Sequence, residues 1–206
     1  GWSKTMLSAA FAMARAESGI LGPIQGWLTD RFGPRILIRV GVVVFGLGFI
    51  LFSQITSAVA FFLTFFLIAL GSSLGGYLPI GVAIVAWFRR RRALALSLSA
   101  TGMPVGGLLT PIVALVLMHW GWRWTAFLSG IVIIAVGLPI ARLVRHRPEP
   151  YGETPDGDAP DGHPPRTTAR HRAGPVGTDF TVREALRTSA FWYIALGHGA
   201  ALLVVS

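Results

Sequence analysis

Cysteine is absent from the 206 residues, which excludes disulfides and thiolate metal sites and leaves the redox compartment unreadable. Charge is scarce: Asp, Glu, Lys and Arg make up 13% of the chain, against roughly 25% in an ordinary soluble domain. No His-x-x-x-His pair or paired carboxylates occur, and the Gly-x-Ser-x-Gly spacing of Gly71-Ser72-Ser73-Leu74-Gly75 lies inside an apolar run that holds no charged residue. The groups that a metal hydrolase or an acid–base pair needs are missing, and that serine has no acid or base in its own run, so an enzyme is not expected. No ATP-binding loop occurs either, so any work the protein does should draw on an ion or solute gradient.

Apolar residues are plentiful. They form 53% of the chain, and the mean hydropathy is +0.62. Residues 40–88, 93–122 and 124–141 contain no Asp, Glu, Lys or Arg. Each run reaches the roughly 18 to 20 residues that span a bilayer. In lipid each segment must satisfy its own backbone polar groups, so these runs are helices. The fold class expected is an all-α integral membrane bundle. Its spans are read at about 5–28, 36–53, 58–86, 94–118 and 124–141, so that residues 1–142 form one bundle. A polar linker follows at 143–188, and residues 189–206 open a further span.

The chain starts at Gly1, shows no signal-peptide pattern and stops inside an apolar run, so it is expected to be a piece of a longer protein. The linker, rich in Pro, Gly, Asp and Arg, lacks the composition of a packed core and is expected to be flexible. Thr181-Val182-Arg183-Glu184 has capping-box spacing and predicts a short helix leading into the last span.

Basic residues are distributed unevenly between the two ends of the spans. Arg31, Arg35, Arg39, Arg89 to Arg92, Arg142, Arg145 and Arg147 fall at one end, Lys4 and Arg123 at the other. The richer end is cytoplasmic by the positive-inside rule, which puts loops 29–35, 87–93 and 143–188 in the cytoplasm and Gly1 outside. A multi-pass protein of a bacterial-type plasma membrane is expected. The net charge of +9 is mainly this orientation signal, and nucleic acid is not an expected partner. The basic loop Arg89, Arg90, Arg91 and Arg92 is placed to meet anionic lipid headgroups.

One stretch concentrates an acid, arginines, glycines and proline between two apolar runs: Gly26-Trp27-Leu28-Thr29-Asp30-Arg31-Phe32-Gly33-Pro34-Arg35. Its pattern Gly26-x-Leu28-x-Asp30-Arg31-x-Gly33-x-Arg35 resembles the loop between the second and third helices of major facilitator superfamily transporters, with Pro34 where many members carry a basic residue. Gly1-Trp2-Ser3-Lys4, Trp87-Phe88-Arg89-Arg90-Arg91-Arg92-Ala93-Leu94-Ala95, Gly121-Trp122-Arg123 and the segment Arg147-Pro148-Glu149 through Pro155-Asp156-Gly157 are similar to the monocarboxylate and oxalate-formate porter branch. The resemblance implies a major-facilitator-type bundle, here holding helices two to six and the beginning of seven. It implies alternating access between two halves, and no cofactor.

The chain also departs from drug-exporting members. Phe65 to Gly71 lacks the arginine that those members carry on the fourth helix, and Gly102-Met103-Pro104-Val105-Gly106-Gly107 only partly matches the antiporter motif of the fifth.

Two charges lie deep in the first span. Arg15 and Glu17 each cost about 2.5 to 3.5 kcal/mol at mid-bilayer, so both should face protein or a wet cavity. Two residues apart on a helix, they point about 200° apart and are poorly placed to pair with each other. Arg15 is the candidate site for an anion, Glu17 for a proton or gate. His198 in the last span is a candidate proton relay. Gly26, Asp30, Arg31, Gly33 and Arg35 are read as a conformational switch, with Asp30 near a helix N-terminus and paired to basic groups. Gln25, Ser73 and Tyr77 are possible pathway residues. Gly22-x-x-x-Gly26, Gly71 to Gly76, Pro23, Pro79 and Pro104 suggest close packing and kinks.

The expected function is secondary active transport of a small, monocarboxylate-like organic anion, coupled to a proton or to an exchanged anion. An exporter or antiporter of other small organic solutes, and a non-transporting membrane receptor or scaffold, are the alternatives.

Overall fold

The computed structural model describes residues 4–145, 148, 151–157, 182–193 and 195–197. The chain divides into two compact units, Gly1–Pro160 and Asp161–Ser206. Among the described residues there is helix and no strand.

The first unit begins with α1 (Lys4–Phe32), α2 (Pro34–Phe52), α3 (Ala58–Gly75) and α4 (Tyr77–Trp87). It continues with α5 (Arg92–Ala100), α6 (Gly102–Gly107) and α7 (Thr110–Leu143), then a 3-10 turn at Pro155–Gly157. Three helical stretches, Pro34–Phe52, Ala58–Trp87 and Arg92–Leu143, are long and apolar enough to cross a membrane. The last covers 52 residues, room for the two spans expected there at 1.5 Å per residue. α1 is where the sequence predicts a helix, yet it is not among these three, because Arg15, Glu17, Asp30 and Arg31 dilute its apolar run.

Two spans that read as continuous are interrupted. The third breaks at Gly76 (φ −87°, ψ −148°) into α3 and α4. Pro79 cannot donate to the Gly75 carbonyl four residues back, and its ring crowds that carbonyl. The fourth is divided into α5, α6 and the start of α7, across a stretch holding Gly102, Pro104, Gly106, Gly107 and Pro111, poor helix formers that weaken the ladder. The turn expected between the fourth and fifth spans is a break inside α7 at Gly121, whose φ of 75° and ψ of 171° favour glycine.

α2 is the hub. It packs against α3 on one side and α7 on the other. In lipid no hydrophobic force pulls helices together, so close backbone approach through small residues does the work. Gly41, Phe45 and Gly48 recur at helical spacing on the α3 side. A methyl on Gly41 would meet the Gly75 backbone, and one on Gly71 would meet the backbone of Phe45. On the α7 side, Gly46 lies against Gly130 and Ile134, and Gly137 against Val42. Gly71 to Gly76 thus pack as the sequence suggests. Gly22-x-x-x-Gly26 does not: among the described residues, a methyl at either position would meet no neighbouring heavy atom within 4 Å.

In the second unit, α8 (Val182–Arg187) begins where the capping box predicts a helix; Thr181 itself lies outside the described residues. Residues 189–193 are helical, and the Phe191 amide donates to the Thr188 hydroxyl at 3.3 Å. His198 lies outside the described residues.

Candidate functional site

α1 turns one stripe inward. Ala10, Glu17, Gln25 and Thr29 recur at helical intervals and are buried, against α3 chiefly and also α2 and α4. Three of the four are polar, unusual for a packed face. Thr29 donates to the Gln25 carbonyl at 2.6 Å, a local bond that removes its hydroxyl from contention. Gln25 Nε2 donates to Ser73 Oγ, tying α1 to α3. Two of the three pathway candidates therefore satisfy one another, whereas Tyr77 is exposed.

Glu17 is 5% exposed, and neither carboxylate oxygen has a hydrogen-bond partner among the described residues. Arg15, two residues away, is exposed. Their opposed placement is what the 100° helical step requires. No ion pair joins them among the described residues. The arrangement sets an open guanidinium on one face of α1 and an unsatisfied carboxyl behind it. An unpaired buried carboxyl is costly enough that such groups usually bind a proton or meet a partner.

At the far end of α1 the chain reverses through a single residue. Gly33 takes φ 79° and ψ 154°, a backbone region open essentially to glycine alone. Its amide closes α1 onto the Thr29 carbonyl at 2.9 Å, and Pro34 starts α2 at a position where a missing N–H costs nothing. Helix α1 runs on to Phe32, which corrects one expectation. Asp30 lies in the last turn of α1, at the helix end that favours cations, not near a helix N-terminus. It is exposed, and no ion pair to it occurs among the described residues. Arg31 lies over Trp27 at 5.3 Å and near Phe32 at 5.8 Å, a cation–π setting. Arg35 reaches across to the Arg142 carbonyl at 3.3 Å. The Nε atoms of Arg35 and Arg39 are buried without partners among the described residues.

Arg89 to Arg92 gather at this same end, and their surroundings were not legible in the sequence. Arg92 donates to the Phe88 and Val85 carbonyls at 3.3 and 3.5 Å, closing the C-terminus of α4. The Arg89 and Arg90 amides donate to Asp156 Oδ2 at 2.9 and 2.8 Å. These bonds, that from Arg90 foremost, hold the Asp156 carboxyl below the usual range. Trp87 Nε1 donates to the Arg145 carbonyl at 3.1 Å. The head of the linker is therefore docked, where a flexible segment was expected. The turn chemistry of Pro155-Asp156-Gly157 was a visible signal; its landing place was not.

The opposite end is less charged. Arg123 donates to the Ile55 carbonyl at 2.9 Å and stacks on Trp122 at 4.6 Å. Lys4, Leu7, Phe52, Ile55, Phe61 and Trp122 border a cavity of about 400 Å³ there.

The family model of the Major Facilitator Superfamily matches residues 1–206. Among curated proteins, "MFS transporter asaE" of Aspergillus flavus is 32% identical, over 66% of this chain and 31% of its own. "Membrane sensor protein UhpC" of Salmonella typhimurium is 34% identical, over 68% of this chain and 32% of its own. "Monocarboxylate transporter 14" of mouse is 31% identical, over 77% of this chain and 31% of its own. The chain spans about a third of the length of these relatives.

Proposed function

The chain belongs to the Major Facilitator Superfamily, and from that premise we propose that the protein is a secondary active transporter of a small, monocarboxylate-like organic anion. The observation that carries this reading is the arrangement on α1: Arg15 on an open face, Glu17 buried without a partner. A guanidinium near the middle of a membrane helix is too costly to leave against lipid, so it faces a wet cavity or a partner. As a planar, permanently charged fork it suits a carboxylate. Likeness to a mouse monocarboxylate transporter supports the substrate class.

In this mechanism the protein exposes one cavity alternately to the two sides. Arg15 draws the anion in. Glu17, shielded from water, takes up or releases a proton as the cavity changes sides, unless an exchanged anion supplies the coupling. Gly26, Asp30, Arg31, Gly33 and Arg35 form the switch: the Gly33 reversal fixes α1 to α2, and exposed Asp30 and Arg31 meet and leave partners on the other half as the halves rock. The Arg-rich end, with loops 29–35, 87–93 and 143–188, is cytoplasmic, and anionic lipid borders it.

Reconstituted full-length protein tests the reading directly. Uptake of labelled lactate, pyruvate, formate and oxalate is measured with and without an inward proton gradient. Stimulation by the gradient, with uptake weakened in Arg15→Ala, is expected for a symporter. Uptake only into anion-loaded vesicles identifies an exchanger. No uptake of any of the four ends the monocarboxylate assignment. The likeness to a membrane sensor favours one second reading: a protein that binds its solute and signals without moving it, recognised by saturable binding in the absence of uptake.

A further inference from the structure

Several observations converge just beyond α7. Arg145 approaches Glu153 at 3.7 Å and stacks on Tyr151 at 4.4 Å. The amides of Tyr151 and Glu153 both donate to the Pro148 carbonyl, at 3.0 and 3.3 Å. The chain thereby folds back on itself immediately after leaving the helix, and Pro148 is buried. It then crosses to the loop between α4 and α5, where Asp156 accepts the two arginine amides. Asp156 stands at φ 65° and ψ 4°, a left-handed conformation uncommon for a residue other than glycine. Trp87 closes the other side by its bond to the Arg145 carbonyl.

We propose that Pro148 and residues 151–157 belong to a strap that fixes the α4–α5 loop to the end of α7, latched by the Asp156 carboxylate on the Arg89 and Arg90 amides. The chemistry explains the residue types. Two adjacent backbone N–H groups in a loop can share one acceptor, and one carboxylate oxygen serves both with charge-assisted bonds. The Arg90 side chain adds favourable potential. The left-handed turn aims the carboxylate at the loop, and flanking Pro155 and Gly157 permit that turn. The consequence is mechanical. The described part of the linker ends at the α4–α5 loop, so α4, α5 and α7 move together at this end. Only this mechanical consequence for a rocking cycle rests on the transporter reading; the strap itself does not.

Hydrogen exchange on the full-length protein in lipid nanodiscs tests the strap without any substrate, so its outcome is separable from that of the transport assays. In Asp156→Ala, amides at Arg89 and Arg90 should exchange at least about tenfold faster, as local opening replaces a held bond. Amides in α2 should be unchanged, and Asp156→Glu should recover part of the protection. Unchanged exchange at Arg89 and Arg90 would overturn the proposal, as would a rise spread equally over α2. A second measurement guards against misfolding of the variant. These 206 residues hold no cysteine, so once any cysteine elsewhere in the full-length protein is replaced by serine, Arg90→Cys with Thr154→Cys creates a unique pair. A short bifunctional maleimide should join that pair with Asp156 present and fail to do so in Asp156→Ala. Equal cross-linking in both backgrounds would likewise overturn the latch.

Discussion

Gly41 on α2 and Gly75 on α3 pass so closely that a methyl group on Gly41 would overlap the Gly75 backbone. Gly71 stands in the same relation to Phe45. These contacts explain why α2 can lie between two helices: its glycines leave no side chain to hold the neighbours off. Backbone cannot yield as the tip of a long side chain can.

Gly41→Ala and Gly71→Ala should each cost about 1 to 3 kcal/mol by overpacking. Thermal melts of the detergent-solubilised protein should show lower midpoints for both. Gly22→Ala, in open space, should melt like the parent; equal losses at all three positions would refute the seam.

The Gly33 reversal yields a second prediction. Its conformation is one that side chains rarely adopt, and forcing one into it costs about 1 to 3 kcal/mol. Gly33→Ala should lower the melting midpoint through this backbone strain alone. Should Gly33→Ala melt like the parent, the turn is not held in this conformation.

Arg15 and Glu17 should separate in a transport assay. Arg15→Ala is expected to raise the KM for the anion about tenfold, equivalent to roughly 1.4 kcal/mol of lost binding. Glu17→Gln preserves shape and removes the titration, so uptake should lose its response to the proton gradient while folded yield persists. A gradient response surviving in Glu17→Gln would assign the proton elsewhere.

Acid should release the strap only at low pH. Backbone amides lower the Asp156 carboxyl below its ordinary value of 3.8. A group with a depressed folded-state pKa contributes stability above its unfolded value, and that contribution is lost as pH falls through the folded one. Between neutral pH and pH values near 5 the Arg89 and Arg90 amides should therefore keep their protection factors, once intrinsic exchange is corrected for. Loss of protection within that range would place another titrating group at the contact.

Much of this architecture follows from the order of the residues alone. Long uncharged runs can only be helices in lipid, and the grouping of arginines at one end of the spans is the basis of the orientation we propose. Opposed placement of Arg15 and Glu17 follows from the helical step, and the reversal at Gly33 from glycine beside proline. Tertiary structure decided what one-dimensional pattern cannot carry. Gly22 and Gly26 have the spacing of a packing motif but no close neighbour among the described residues, while α2 presents glycines on two faces, because a close approach needs a second helix at the right depth. Gln25 and Ser73 satisfy each other across α1 and α3, which no local spacing reveals. Asp30 fell at the wrong helix end because a boundary moved by a few residues reverses the sign of the local dipole. Asp156 and the arginine amides are separated by 66 residues or more, and only folding of the chain brings that carboxylate to the two N–H groups it serves.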